Sequence, residues 1–240
     1  MRLGEPEEII FFKDAAIGLE AVLVIDHTGL GPAAGGIRTK AYGCFEDSIA
    51  DAARLARAMT LKCSIAGLDA GGGKLVVRLH EDSNRAAIFS RLGKEIQRLK
   101  GRFHSAGDFG TTAQDLAWAS AETDYLHTDT KTLVESVARG HLRCVEACLG
   151  VAKAESLKGK FVAVQGCGDI GASVVQNLHQ AGASLVIADI DASRLEGFRN
   201  LVGIEEASPD SILYRDVDLL APCALGGVLN QEVVLSLKTK

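Results

Sequence analysis

The segment Lys160-Phe-Val-Ala-Val-Gln165 is an apolar, strand-like run that leads without interruption into Gly166-Cys-Gly168-Asp-Ile-Gly171. A helical pattern follows, then a second apolar run, Ser184-Leu-Val-Ile-Ala188, which ends at Asp189. Strand, glycine turn, helix and strand in that order describe a βαβ unit, which requires parallel strands and a crossover helix. In such a unit Gly166 permits the tight turn, Gly168 lets backbone approach a pyrophosphate, and Gly171 lets the helix lie close to the strand. The helix N-terminus at Asp169 and Ile170 stabilises phosphate charge. Asp189 is then placed to accept hydrogen bonds from ribose hydroxyls, with Asp191 contesting that role. A carboxylate there repels a 2'-phosphate, so NAD is favoured over NADP as cofactor. The alternative is a glycine-rich turn that holds no ligand.

The rest of the chain is read around this unit. The N-terminal part alternates like strands at Glu8–Lys13 and Leu19–Ile25, closed by a turn signal at His27-Thr-Gly-Leu. From Asp47 the apolar positions Ile49, Ala53, Ala56 and Met59 recur at helical spacing, and a strand is expected to open at Lys74 after a glycine turn. Helix (Asn84 to Leu99), strand (Arg102 to Ser105) and helix (Thr112 to Ser120) continue the alternation of an α/β layer. Thr132 and Glu135 have capping-box spacing, which predicts a helix starting after Thr132 and running to about Ala154. The fold class expected is therefore α/β: an N-terminal α/β substrate domain with a mixed sheet over 1–132, then a Rossmann-like dinucleotide-binding domain over 133–240.

Composition excludes several functions. A formal charge of -5 with no basic run gives no electrostatic case for a nucleic-acid partner. No apolar stretch approaches membrane-spanning length and the N-terminus lacks a signal-peptide core, so a cytoplasmic location is expected. The six cysteines include no Cys-x-x-Cys pair and read as reduced, mostly buried thiols. Cys144 and Cys148 share a helix face, but no His or carboxylate pattern completes a metal site around them, and no metal is expected.

Two lysines flank the glycines of the first domain, in Ala58-Met-Thr-Leu-Lys62 and Gly71-Gly-Gly-Lys74. One ammonium suits pairing with a substrate carboxylate, and a second, partly desolvated near the first, has its pKa pushed down into the range of a general base. Asp108, in Ser105-Ala-Gly-Asp108-Phe-Gly-Thr111, stands at a predicted strand end where α/β enzymes keep reacting groups. It reads equally as a turn or N-cap aspartate for the helix near Thr111, and either lysine alone reads as a solvated surface residue.

These landmarks together resemble the glutamate/leucine/phenylalanine/valine dehydrogenase family, most closely its leucine dehydrogenase branch. The residues that carry the resemblance are Leu30-Gly-Pro-Ala-Ala-Gly-Gly-Ile-Arg38, Met59-Thr-Leu-Lys62, Gly71-Gly-Gly-Lys74, Gly107-Asp108-Phe-Gly-Thr111, the glycine motif at Gly166–Gly171 and Ala221-Pro-Cys-Ala-Leu-Gly-Gly227. The resemblance implies reversible oxidative deamination of an L-amino acid with NAD. It assigns Lys62 to the substrate carboxylate, Lys74 to general base catalysis and Asp108 to proton relay at the amino group. Gly35 and Gly36 would line the substrate pocket with Met59 near the substrate, and a homo-oligomer would form through the N-terminal segment.

The resemblance also implies departures. Ala34 stands where glutamate-specific members have a lysine for the distal carboxylate, so an apolar or aromatic amino acid is expected as substrate. The segment joining the domains, Tyr125 to Gly140, is shorter than in similar enzymes, and the threonine expected near the nicotinamide falls on Val137. The sequence stops at Lys240, before the loop and helices with which the family closes its cleft. A non-catalytic dinucleotide-binding or scaffold homologue, or a fragment, is the competing expectation.

Overall fold

The computed structural model describes residues 5–150 and 157–239. The chain divides into two compact units, Met1–Thr130 and Lys131–Lys240. The first holds a five-stranded mixed sheet built from β1 (Glu8–Asp14), β2 (Leu19–His27), β3 (Ala33–Lys40), β4 (Gly71–Arg78) and β5 (Phe103–Gly107), in the order β1-β2-β4-β3-β5. β1, β2 and β4 pair antiparallel, whereas β3 runs parallel to both β4 and β5.

Helices cover both faces of this sheet. Leu23, Ile25, Ile37, Leu75 and Val77 pack with Ile88, Phe89, Leu92 and Ile96 of α2 (Arg85–Arg98) and Ala119 of α3 (Ala113–Ser120). The alternate residues Val22, Val24 and Val76 point the other way, onto Ala52 and Ala56 of α1 (Phe45–Ile65). A period of two in the strands thus sorts side chains between two helical layers, and each layer buries its own apolar face.

α1 meets the sheet over small residues. A Cβ added to Gly72 would overlap the backbone nitrogen and hydroxyl of Thr60, so the missing side chain is what lets the last turns of α1 settle against β4. This overturns one expectation: Gly71–Gly73 are not a turn before the strand but its buried beginning. Glycine breaks strands by local propensity, yet here close approach of neighbouring backbone selects it. For the same reason β3, carrying Gly35 and Gly36, is a strand that alternation alone does not announce.

Thr112 caps α3 in a reciprocal capping box with Asp115. The Asp115 carboxylate is fully buried, accepts the Thr112 amide at 2.7 Å and is gripped through both oxygens by Arg85 Nε and Nη2. Burial pushes its pKa up, but Arg85 and the Thr112 bonds outweigh this and hold it below the ordinary value of 3.8. A carboxylate depressed on folding contributes stability above its unfolded pKa and loses it as pH falls through the folded value. Asp115→Ala is expected to cost about 3 kcal/mol at pH 7, roughly a 10 °C drop in melting temperature, because it strands Arg85 and uncaps α3. Melting curves at pH 7 and at acid pH check both halves: the gap between variant and parent should shrink below pH 4, and equal melting at pH 7 would refute the assignment.

The second unit holds a four-stranded parallel sheet, order β8-β7-β6-β9, from β6 (Phe161–Gln165), β7 (Ser184–Ala188), β8 (Ile204–Glu206) and β9 (Leu219–Pro222). Val162, Val164, Leu185 and Ile187 pack on one face with Val174, Val175 and Leu178 of α5 (Asp169–Gln180) and with Ala138 and Val145 of α4 (Thr130–Cys148). Ala163, Val186 and Ala188 pack on the other with Ile212 and Val217. A short α6 (Gln231–Ser236) follows β9.

α4 spans Thr130–Cys148, so Thr132 lies inside the helix rather than at its N-cap, and the expected helix end near Ala154 lies outside the described residues. Three cysteines also depart from the expected burial: Cys44, Cys144 and Cys148 are exposed, the last two on α4. Among the described residues no group of three His, Cys, Asp or Glu side chains is placed to hold a metal, and no helix is long and apolar enough to cross a membrane.

Candidate functional site

Strand parity explains how distant residues converge in the first unit. Val76 points to the α1 face, so Lys74, two residues earlier on β4, does too. On β3, Ile37 faces the α2 side, which turns Ala34, Gly36 and Arg38 toward α1. Lys62 occupies the last turn of α1, where a cation complements the helix dipole. Asp108 follows directly on the end of β5. The α1 side of the sheet therefore collects two lysines, an arginine and an aspartate from four elements.

Their geometry is compact. Lys74 Nζ lies 2.7 Å from Asp108 Oδ2, with the lysine side chain 6% exposed and the aspartate 27%. Arg38 Nε donates to the same Oδ2 at 2.9 Å, and its Nη1 reaches Asp51 Oδ2 at 3.2 Å. The Tyr42 hydroxyl also donates to Asp51 Oδ2, at 2.8 Å. Arg38 is thus held from two sides and clamps Asp108 in place. Lys62 is exposed and forms no ion pair among the described residues, yet its charge acts on Lys74. One lysine, itself buried, is committed to a half-buried carboxylate and the other is open to an anion.

Burial pushes the Lys74 pKa down, and Arg38 and Lys62 push the same way, whereas Asp108 alone raises it; the balance lies below the ordinary value of 10.5. For Asp108, burial raises the pKa, but Lys74 and Arg38 hold it below the ordinary carboxylate value. At neutral pH this is an ion pair in which the proton on Lys74 depends on one neighbour.

Asp108 is not the N-cap of α3, since Thr112 fills that role. Gly36 abuts it: a Cβ there would stand 3.0 Å from the Asp108 Cβ and 2.8 Å from the Gly107 carbonyl oxygen. A Cβ at Gly35 would overlap the Gly73 carbonyl oxygen, so this glycine allows β3 and β4 to approach each other. Met59 is half-buried on α1 and Val137 lies 42% exposed on α4. Arg38, Asp51 and Tyr42 were not singled out by sequence reasoning. The signal was present, because Arg38 closes the Leu30–Arg38 landmark at same-face spacing from Ala34 and Gly36.

The second unit builds a separate site. β6 ends at Gln165, and Gly166 turns the chain with φ +89°, where an added Cβ would stand 2.7 Å from the Ala224 amide. Gly168 is the N-cap of α5 and no side chain caps it, which leaves the first-turn amides of Asp169, Ile170 and Gly171 facing outward for an anion. At Gly171 a Cβ would overlap the Gly166 carbonyl oxygen, so helix and loop pack closely. Asp189, just past β7, accepts the Cys167 amide at 2.7 Å and the Asp191 amide at 2.9 Å. Asp191 instead caps the following turn through Ser193. The Gln165 Oε1 beside the loop is buried without a partner. Bare helix amides, a glycine cradle and a carboxylate at the end of the neighbouring strand fit a dinucleotide.

Both units have counterparts among known proteins. Residues 6–125 match the family described as Glu/Leu/Phe/Val dehydrogenase, dimerisation domain, and residues 131–194 match Glutamate/Leucine/Phenylalanine/Valine dehydrogenase. Leucine dehydrogenase of Bacillus subtilis (strain 168) is 37% identical over 98% of this chain and 66% of its own length. Phenylalanine dehydrogenase of Lysinibacillus sphaericus is 32% identical over 100% of this chain and 66% of its own. Among solved structures, L-tryptophan dehydrogenase from Nostoc punctiforme superposes with a TM-score of 0.72 at 31% identity, covering 98% of this chain and 68% of that one. The chain spans about two thirds of the length of the curated relatives it matches. On two adjoining family matches and these identities, the chain belongs to the glutamate/leucine/phenylalanine/valine dehydrogenase family.

Proposed function

We propose that the chain carries the machinery of an NAD-dependent amino-acid dehydrogenase acting on an apolar or aromatic L-amino acid. The observation that supports this most is the pair of buried Lys74 and half-buried Asp108, with the exposed Lys62, which forms no ion pair among the described residues, on the same face of the sheet. The overall change is an L-amino acid, NAD and water giving a 2-oxo acid, ammonium and NADH.

Each residue has a role that its surroundings favour. Lys62 pairs with the substrate carboxylate as a point charge. Asp108, ionised, takes a proton from the substrate ammonium and frees the nitrogen lone pair. A dinucleotide held at the glycine loop and Asp189 would supply one thing, acceptance of the hydride from Cα. Lys74, in its neutral form, then removes a proton from the water that adds to the imino carbon; Asp108 returns a proton to nitrogen, and ammonia departs as the new hydroxyl loses its proton to solvent and becomes the carbonyl. Gly36 keeps the space beside Asp108 clear of a side chain, Gly35 lets β3 sit against β4, and Met59 lies near the substrate. The amides at Gly168, Asp169, Ile170 and Gly171 hold the pyrophosphate and Asp189 the adenosine ribose, while Gly166, whose own amide donates to the Ala188 carbonyl at 2.7 Å, gives the loop its turn.

Ala34 provides no counter-charge for a second carboxylate, so glutamate is disfavoured. Assembly is proposed through β1, an edge strand that exposes Ile9 and Phe11 in the unit matched as a dimerisation domain. The six free thiols suit a reducing cytoplasm.

A panel of L-amino acids with NAD, followed by NADH absorbance, tests this reading. Turnover is expected with apolar or aromatic substrates and at least about 100-fold less with glutamate. A flat response to every substrate while NAD still binds would replace it with the non-catalytic reading.

A further inference from the structure

We propose that Arg194 equips the glycine-loop site to take the 2'-phosphate of NADP, so that the chain accepts both forms of the dinucleotide. The proposal rests on the dinucleotide reading above and changes the cofactor choice that Asp189 alone suggests.

A carboxylate after the second strand excludes NADP by meeting the 2'-phosphate with bare negative charge. Here neither acidic group is bare. Asp189 is 4% exposed, and each of its oxygens already accepts a backbone amide, from Cys167 and from Asp191. Asp191 is spent on the amide and hydroxyl of Ser193, at 3.1 and 2.6 Å. Those donors draw charge off both carboxylates without preventing Asp189 from accepting a ribose hydroxyl through its remaining lone pairs.

Arg194 is the cation between them. Its Nη1 is 3.8 Å from Asp189 Oδ2 and its Nε 3.5 Å from Asp191 Oδ2, both longer than a hydrogen bond, and the side chain is 51% exposed. The guanidinium therefore feels both carboxylates while its five donors remain available. It also overlooks the loop: Nη1 stands 3.3 Å from where a Cβ on Gly168 would be. The glycine that clears a path for the cofactor backbone is bounded by an arginine.

The arginine is presented on a firm support. It sits in the 3-10 turn Ala192–Phe198, whose Leu195 and Phe198 are 4% and 5% exposed and pack into the sheet core. Arginine matches phosphate in a planar two-point contact, which a lysine cannot reproduce. Loose ion pairs to two flanking carboxylates give way readily to a phosphate, because exposed pairs hold little energy.

Fluorescence titration of the full chain with NADH and with NADPH tests the proposal without recourse to activity. The two dissociation constants are expected to agree within about tenfold. Arg194→Ala should weaken NADPH at least tenfold and NADH less than threefold, and Arg194→Lys should recover part of the loss. Circular dichroism of each variant checks that it folds. Binding of NADH without measurable NADPH, or an equal loss of both in Arg194→Ala, would overturn the role of Arg194 and leave the dinucleotide site standing. Binding of neither by the parent chain would remove the dinucleotide reading itself, and this proposal with it.

Discussion

Replacing Lys74 by methionine is expected to lower kcat/KM for the preferred amino acid by at least about 10³-fold while NAD affinity stays within twofold. Methionine keeps the unbranched length and fills the buried space but has no amine to accept a proton, and loss of a positioned general base costs 10² to 10⁴. Removal of the ammonium also strips Asp108 of its partner at 2.7 Å, which adds to the loss. The glycine loop belongs to the other compact unit, so cofactor binding is the internal control.

The pH profile carries the sharper information. A base must be unprotonated, so log kcat/KM should rise with pH until Lys74 loses its proton. Burial, Arg38 and Lys62 all push that point below 10.5 and Asp108 alone pushes it up. When Asp108 turns to the substrate amino group, its hold on the lysine proton weakens and the three opposing influences prevail. Proton release is thereby tied to occupancy of the site. The rising limb should vanish in Lys74→Met. A loss under tenfold, or an unchanged limb, would show that another group serves as base.

Parts of this site were legible before any coordinates, and the reason is periodicity. Lys62 at the end of a helical repeat and Asp108 after an apolar run are placed by local pattern, as is the strand, turn, helix and strand order around Gly166. Arg38 was not legible in the same way. A charged residue reads as solvated until the register is known, and only the pairing of β3 between β4 and β5 brings it onto Asp108. Asp51 and Tyr42 are hidden for the same reason, being partners of Arg38. The glycines of β4 were misread because strand propensity is decided by packing, and the packing partner, Thr60 of α1, is remote in sequence. Asp191 rivals Asp189 by position alone, and its bonds to the Ser193 amide and hydroxyl are visible only once the turn is folded.

Gly35→Ala is expected to be among the most damaging single-methyl changes in the first unit, yielding chain that is insoluble or melts far below the parent. Gly35 pairs with Ser105 of β5 and lies between the Ala34 and Ile37 pairings of β3 with β4, and a Cβ there would overlap the Gly73 carbonyl oxygen. The obstacle is backbone in the centre of the sheet, not the end of a mobile side chain, so relief requires the two strands to separate. Overpacking a core by one methyl costs about 1 to 3 kcal/mol where side chains yield. Here ladder hydrogen bonds must yield as well, which raises the cost to about 4 kcal/mol, a large fraction of a domain's stability. Ser105 Oγ donates to the Gly35 carbonyl at 3.0 Å, so the same shift disturbs β5 just ahead of Asp108. Gly140→Ala is the matched control, since nothing lies within 4 Å of its Cβ position. Soluble yield and melting temperature of the two variants, measured beside the parent, decide the matter. Equal stability of Gly35→Ala and Gly140→Ala would show that β3 and β4 are not packed as closely as their glycines indicate.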